Sequence, residues 1–296
     1  MSSIAYVTDQ NMLEYHRLCR NREMLFWRLS TREIADFHKG DLLFFFARGT
    51  MGRKKGLVGY AHYDSAPKLS MKQMWKKYGT LTGYDTYEYM EEAITKAARG
   101  GTVPKVLHCL YLTDVVFFLS PIYAKEAGLS IPANLESYQY LDQEDPEATV
   151  RILKKAEEHG IDLWYSDSGN AIFQLDEIRH LASMVHFRLP QNGSKTEQKK
   201  AAALAAEKTK EKNWELIKGS NTDCIRIDAK SITVGLPLVY NTQDKNLRIQ
   251  EWMGRMTMYR ILLKQNGLEK KIHFEILSAQ DTKEVEEMMN GVEADA

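Results

Sequence analysis

The sequence predicts an α+β chain in two parts, and three observations carry that prediction. A continuous apolar run, Leu42–Ala47, is followed by a glycine-rich basic loop and a second strand-like segment, Leu57–Tyr63, which together read as a hairpin. Segments of strand period and of helical period are interspersed along the 296 residues. Near residue 191 the stretch Gln191–Thr196, containing Asn192-Gly193-Ser194, reads as a linker, after which the composition turns to Ala, Lys and Glu. The expected division is therefore 1–160 as a first domain, 161–190 as connecting strands and helix, and 191–296 as a smaller α/β domain.

Each element has its own local reason. Ile4–Thr8 reads as a short strand, and Asn11–Arg20 as a helix, because Met12, Tyr15, His16 and Cys19 recur at helical spacing. Met24–Leu29 is apolar and ends at Ser30. A serine there, with Glu33 three residues on, is a capping box that predicts a short helix to Phe37. Lys39-Gly40-Asp41 is a turn into Leu42–Ala47, whose unbroken apolarity predicts a strand covered on both faces. Residues 65–104 are polar, helical in parts, and rich in lysine and tyrosine. Val106–Asp114 and Val115–Leu119 read as strand, Ser130–Tyr140 as a loop with aromatic residues, and Pro146 opens a helix to about His159. Ile161–Ser166 and Ala171–Gln174 read as short strands, and Leu175–Val185 as a helix. A solvated helix is expected from Lys195 to Ile217. Then come strands at Cys224–Ile227 and Ser231–Tyr240, a helix at Ile249–Gln265, a strand at Lys271–Leu277, and an acidic, frayed end at Glu284–Ala296.

Composition excludes several classes. Hydrophobic residues make up 44% and charged ones 27%, as in a globular core rather than a disordered chain. No apolar run approaches the roughly 20 residues that a membrane-spanning helix needs. Three widely spaced cysteines, Cys19, Cys109 and Cys224, form neither a disulfide framework nor a zinc site, and a reduced cytoplasm is the simplest home. Net charge is zero but unevenly spread. Residues 1–105 hold 17 Lys+Arg against 11 Asp+Glu, a net of +6, whereas residues 106–190 hold 6 against 13, a net of −7. The first third is thus the basic part of the chain.

Three segments in order resemble a known family. Tyr6-Val7-Thr8 with its following helix, then Phe26-Trp27-Arg28-Leu29-Ser30, resembles the opening of EVE domains. Phe37-His38-Lys39-Gly40-Asp41-Leu42-Leu43-Phe44-Phe45 looks like their Gly-Asp turn and central strand, and Gly56-Leu57-Val58-Gly59-Tyr60-Ala61 is similar to the return strand. The resemblance covers roughly residues 1–160. It implies a PUA-like curved sheet or barrel with flanking helices, and binding of RNA or of modified DNA bases in an aromatic-walled pocket, as in YTH, ASCH and EVE modules.

A base slot needs aromatic faces for stacking and a few donors on its rim. Trp27 is the first candidate for a wall, with Arg28 and Ser30 as donors; its competing role is filler between strand and helix. Tyr6 and Thr8 lie on the first strand and can face the same slot. Tyr138 and Tyr140 alternate with Gln139 and so point one way off an extended segment. The loop cations Arg48, Arg53, Lys54 and Lys55, with Lys68, Lys72, Lys76 and Lys77 and the tyrosines after them, suit a phosphate track with stacking rings. A merely solvated surface has the same composition.

No P-loop, Rossmann fingerprint, His-Glu-x-x-His or Gly-x-Ser-x-Gly is present, and the histidines are scattered. Glu211 and Glu215 on a helix, then Asp228-Ala229-Lys230 at a strand end, faintly resemble a PD-(D/E)xK nuclease core. That likeness implies catalytic roles for Glu215, Asp228 and Lys230 around Mg²⁺, with Asp223 the one acid available before the Asp-x-Lys. Trp252, Met256, Tyr259 and Leu263 share a helix face and read as core, while Met253 and Met258 leave room for a protein partner or self-association. The expected function is a nucleic-acid-binding protein sensing a base, modified ones included, with the resemblance pointing to anti-phage defence. The alternatives are a modification-dependent Mg²⁺ endonuclease, and a binding protein for a free nucleotide or other small ligand.

Overall fold

The computed structural model describes residues 2–48, 54–162, 167–189, 193–241, 243–265 and 270–294. The chain divides into two compact units, Ser2–Gln174 and Leu175–Ala296, and the architecture is α+β in both.

The first unit opens with β1 (Ser3–Val7), and Asp9 then caps α1 (Gln10–Leu18) by accepting from the Met12 amide at 2.9 Å. After β2 (Met24–Phe26) comes the expected hairpin of β3 (Leu42–Arg48) and β4 (Lys55–Ser65). The polar stretch holds β5 (Lys68–Leu69), α2 (Met71–Tyr78) and α3 (Tyr87–Ala97), before β6 (Leu107–His108) and the long β7 (Leu110–Ile122). The unit continues through β8 (Tyr138–Tyr140) and α4 (Ala148–His159) into α5 (Asp167–Arg188), a helix inside which the division falls.

Six strands form one sheet in the order β2-β7-β4-β3-β1-β8, with β1 parallel to β3 and the other pairs antiparallel. Four register shifts, one between β3 and β4 and three between β4 and β7, bend it. Curvature is enough for Tyr6 of β1 to meet Phe26 of β2 edge-on, ring centroids 4.9 Å apart, although three strands separate them in the sheet. The loop after β2 completes the closure: the Tyr140 hydroxyl on β8 donates to the Ala35 carbonyl, and Phe37 stacks on Tyr63 at 4.9 Å. The concave face is filled by Ile4, Tyr6, Phe26, Leu43, Phe45 and Leu112, with Met12 and Leu13 of α1. The convex face packs Ala5, Phe44, Tyr60 and Phe118 on α4, and Leu25 on α2 and α3. An unbroken apolar β3 is what a strand covered on both sides requires.

In the second unit α6 (Lys195–Lys208) starts at a capping box, Ser194 with Glu197. Strands β9 (Trp214–Leu216), β10 (Cys224–Ile227) and β11 (Ser231–Pro237) form a meander; α7 (Lys245–Gln265) then crosses to β12 (Lys271–Leu277), parallel to β11, and α8 (Lys283–Ala294) follows.

Four expectations are corrected. Residues 30–37 form turns, not a helix: Ser30 Oγ accepts from the Arg32 amide at 3.3 Å, and Glu33 pairs with Lys68 at 3.1 Å instead of closing the box. Ala171–Gln174 lie in α5 rather than a strand, while Ile161 makes only an isolated bridge to Phe118, with residues 163–166 outside the described residues. The helix from Lys195 ends at Lys208, so Glu215 sits on strand β9. The acidic end is helix α8, anchored by the buried Val285.

Candidate nucleic-acid interface

The parallel pairing of β1 with β3 decides which predicted residues meet. It brings the end of β1 beside Arg48, and the Thr8 amide donates to the Phe46 carbonyl at 3.1 Å. On the other side of β1, the Val7 amide donates to the Ser137 carbonyl at 2.8 Å, leading into β8. Lys55, opposite Arg48 in register, reaches across with its Nζ to donate to the Leu135 carbonyl at 3.2 Å, and stands over the Phe46 ring. One end of the curled sheet therefore carries Arg48 and Lys54, both exposed, and the half-buried Lys55, beside the entry to β8 and Tyr138.

The rings there form a chain. Tyr138 stacks on Tyr6 with centroids 5.8 Å apart and planes 23° apart, and Tyr140 meets Tyr138 edge-on at 5.6 Å. Tyr6 is only 5% exposed and belongs to the core, whereas Tyr138 and Tyr140 are half-buried. Burial pushes the Tyr140 phenol up to about 12, so it is a neutral donor. The buried Thr8 turns its hydroxyl to the Tyr6 carbonyl of its own strand, 2.9 Å away. Beside Arg48 a narrow cleft of about 40 Å³ opens between α1 and β4–β7, flanked by Gln10, Glu14 and Arg17. Arg17 is held by Asp162, Nε to Oδ2 2.6 Å. Sequence spacing gave no hint of Arg17 here, because its partner is 145 residues away.

Trp27, Arg28 and Ser30 stand apart, just beyond edge strand β2. The Trp27 indole nitrogen is shut from solvent against the Tyr84 hydroxyl, and the ring packs between the concave core and the α2–α3 cluster. Arg28, 5% exposed, donates through Nε to the His108 carbonyl at 2.9 Å and through Nη2 to the Arg32 carbonyl at 2.7 Å. It is a brace for the loop after β2, since a buried guanidinium must satisfy its donors. Lys76 and Lys77 lie on α2, with Lys77 over the Tyr78 ring at 5.1 Å. Arg53 lies outside the described residues.

In the second unit the proposed nuclease residues do not converge. Asp228 and Lys230 flank the tight β10–β11 turn, where the Asp228 amide donates to the Ser231 carbonyl, and Arg226 Nε donates to the Asp228 carboxylate at 3.2 Å. Glu215 is clamped by Arg179 through two nitrogens, at 2.7 and 3.1 Å. Among the described residues no group of three or more His, Cys, Asp or Glu is arranged to hold a metal ion.

Among the described residues no helix is long and apolar enough to cross a membrane. No protein-family model matches the chain, and no curated protein is similar to it. Among solved structures the chain is similar to the ASCH protein of Zymomonas mobilis, at 14% identity and a TM-score of 0.35 over 51% of this chain and 94% of that one. A tyrosine-to-phenylalanine mutant of the same protein gives 15% identity and a TM-score of 0.37 over 52% of this chain and 98% of that one.

Proposed function

We propose that the first unit is a PUA-like nucleic-acid-binding module. It lays phosphates on Arg48, Lys54 and Lys55 and stacks an unpaired base on the half-buried rings of Tyr138 and Tyr140. One observation carries this reading: the reach of Lys55 to the Leu135 carbonyl, which sets the hairpin cations beside the strand bearing those tyrosines. Cations that neutralise phosphates next to rings that accept bases are the two components of single-strand recognition. Over the whole unit, residues 2–174, 21 Lys+Arg stand against 22 Asp+Glu, so the attraction for phosphate comes from this local cluster of cations rather than from net charge. A modified base would be distinguished at the same rings, by the extra surface it brings to the stack. The rim's polar edges are turned inward at Trp27 and Arg28, so stacking and phosphate contact, rather than reading by those two side chains, is the mechanism put forward.

The test is fluorescence anisotropy of the full chain with labelled single- and double-stranded DNA and RNA, with and without modified bases, at several salt concentrations. Binding should weaken steeply with salt. The double replacement Arg48→Ala, Lys54→Ala should weaken it further and reduce the salt slope by about 1–2. Tyr138→Ala should cost about 1–3 kcal/mol on single strands and little on duplexes. Affinity that ignores salt, or a Tyr138→Ala variant that binds single strands as the parent does, would sink the reading.

A further inference from the structure

The second unit contains a cavity of about 210 Å³ between α6, α7 and the end of β11, and the nucleic-acid reading makes no use of it. We infer that it binds a small organic oxyanion, a phosphate or carboxylate, on the free edge of Arg255.

The base of the site is Asp223, which is fully buried at the start of β10. A carboxylate so placed must be compensated, and it accepts from three side chains: Arg255 Nη2, the Tyr259 hydroxyl at 2.8 Å and the Thr222 hydroxyl at 3.0 Å. The Asp223 amide in turn donates to Ser220 Oγ at 2.9 Å. Arg255 is thereby fixed from below through one nitrogen. The side chain, 20% exposed, lines the cavity, and among the described residues Nε and Nη1 have no hydrogen-bond acceptor. A planar fork oriented by a buried carboxylate is prepared for a second, bidentate oxyanion, because the ordering of a long side chain has already been met.

The acidic groups on the cavity wall are neutralised by a different residue. Arg248 Nη1 donates to Glu251 at 2.6 Å, and its Nη2 lies 3.5 Å from Glu197. Glu197 also accepts from the Ser194 amide at 2.8 Å, and these contacts hold its carboxyl below the usual range. Arg248 thus spends both terminal nitrogens on carboxylates, with its Nε buried and unpartnered as is Glu197 Oε1, whereas Arg255 presents a free edge of its fork to the cavity. Gly254 beside it is a glycine in the interior of a helix, where alanine is the better helix former. A Cβ added there would meet nothing within 4 Å, so the packing of the chain itself does not require a glycine. Gly254 is exposed and lines the cavity, so a larger side chain at this position would build out that wall. Ala201 and Leu238 give an apolar surface for the body of the ligand, and Gln198, whose Nε2 donates to the Gly193 carbonyl at 3.2 Å, keeps its carbonyl oxygen to accept from a hydroxyl or amino group on it.

The experiment is calorimetric titration and thermal shift of the full chain with inorganic phosphate, AMP and succinate, and with adenosine as the uncharged comparison. Arg255→Gln should abolish binding, but it leaves Asp223 buried beside fewer donors and can unfold the unit. Gly254→Leu answers that difficulty: the helix gains a better former, the side chain enters open space, and the cavity is filled. Saturable binding of at least one anionic probe, none of adenosine, and a tenfold or greater loss in Gly254→Leu with its melting temperature maintained are the expected results. Three outcomes would overturn the inference: none of the anions binds, adenosine binds as well as AMP, or Gly254→Leu binds as tightly as the parent. The last would move the anion site elsewhere, the hairpin cations included, and would leave the nucleic-acid proposal standing.

Discussion

At the scale of single residues, Gly59 decides how sharply the main sheet bends. A Cβ at this position would stand 2.3 Å from the Val116 carbonyl oxygen and 3.1 Å from Phe117 Cα. Both obstacles are backbone of the neighbouring strand β7 and cannot swing aside, and the register shift between Leu57 and Gly59 lies at the same point. Gly59→Ala should therefore cost about 1–3 kcal/mol as an overpacking change, seen as a lower melting temperature or urea midpoint. An unchanged midpoint would mean that the strands separate at no cost. Sequence spacing identified correctly that Tyr138 and Tyr140 share a side, because alternation follows from the strand period alone. It did not show that Trp27 hides its polar edge or that Arg28 bonds two carbonyls, since both depend on Tyr84 and His108, far away in the chain.

Among the elements, the hairpin of β3 and β4 was the most legible, because a buried strand followed by glycines and cations has few other readings. The helix expected at 30–37 failed on a competition between local bonds. Ser30 found the nearer Arg32 amide, and Glu33 found Lys68. The overlong helix from Lys195 failed because alanine, lysine and glutamate favour helix up to Lys208 but do not mark where it stops. Asn213, at φ 67°, precedes the turn of the chain into β9. At the start of that helix the capping box is fully formed: Ser194 Oγ accepts from the Glu197 amide at 3.3 Å, and the Glu197 carboxylate accepts from the Ser194 amide. Ser194→Ala should cost about 1 kcal/mol, whereas Ser194→Asp should cost little. A melting experiment on the two variants distinguishes the cap from mere side-chain size.

For the whole molecule, each unit buries a histidine in the neutral state. His16 and His180 are both pushed down from about 6.5 to about 4 by burial. The Asn21 amide faces Nδ1 of His16, while His180 Nδ1 donates to the Asp176 carbonyl at 2.8 Å. Between those two pH values the unfolded chain takes up protons that the native chain refuses. Stability should therefore be greatest above about pH 6.5 and fall as pH drops toward 4, by up to about 1.4 kcal/mol per pH unit for each histidine. Denaturant midpoints at a series of pH values check this, with His16→Gln expected to flatten the slope; a flat profile in the parent would refute it. The division falls inside α5, between Gln174 and Leu175, where a continuous helix gives no break in the sequence, while the change of composition lies near residue 191. The order of strands has a further consequence, for the time at which the first unit can form. Strand β1 lies between β3 and β8, and Ile4 pairs with both Leu43 and Tyr140. During synthesis β1 waits for β3, and even then keeps one side open until the chain has reached residue 140. Long-range pairings of this kind slow folding and leave an edge exposed to other chains. The interval between the emergence of residue 48 and that of residue 140 is when a nascent chain of this protein is most open to association with its neighbours.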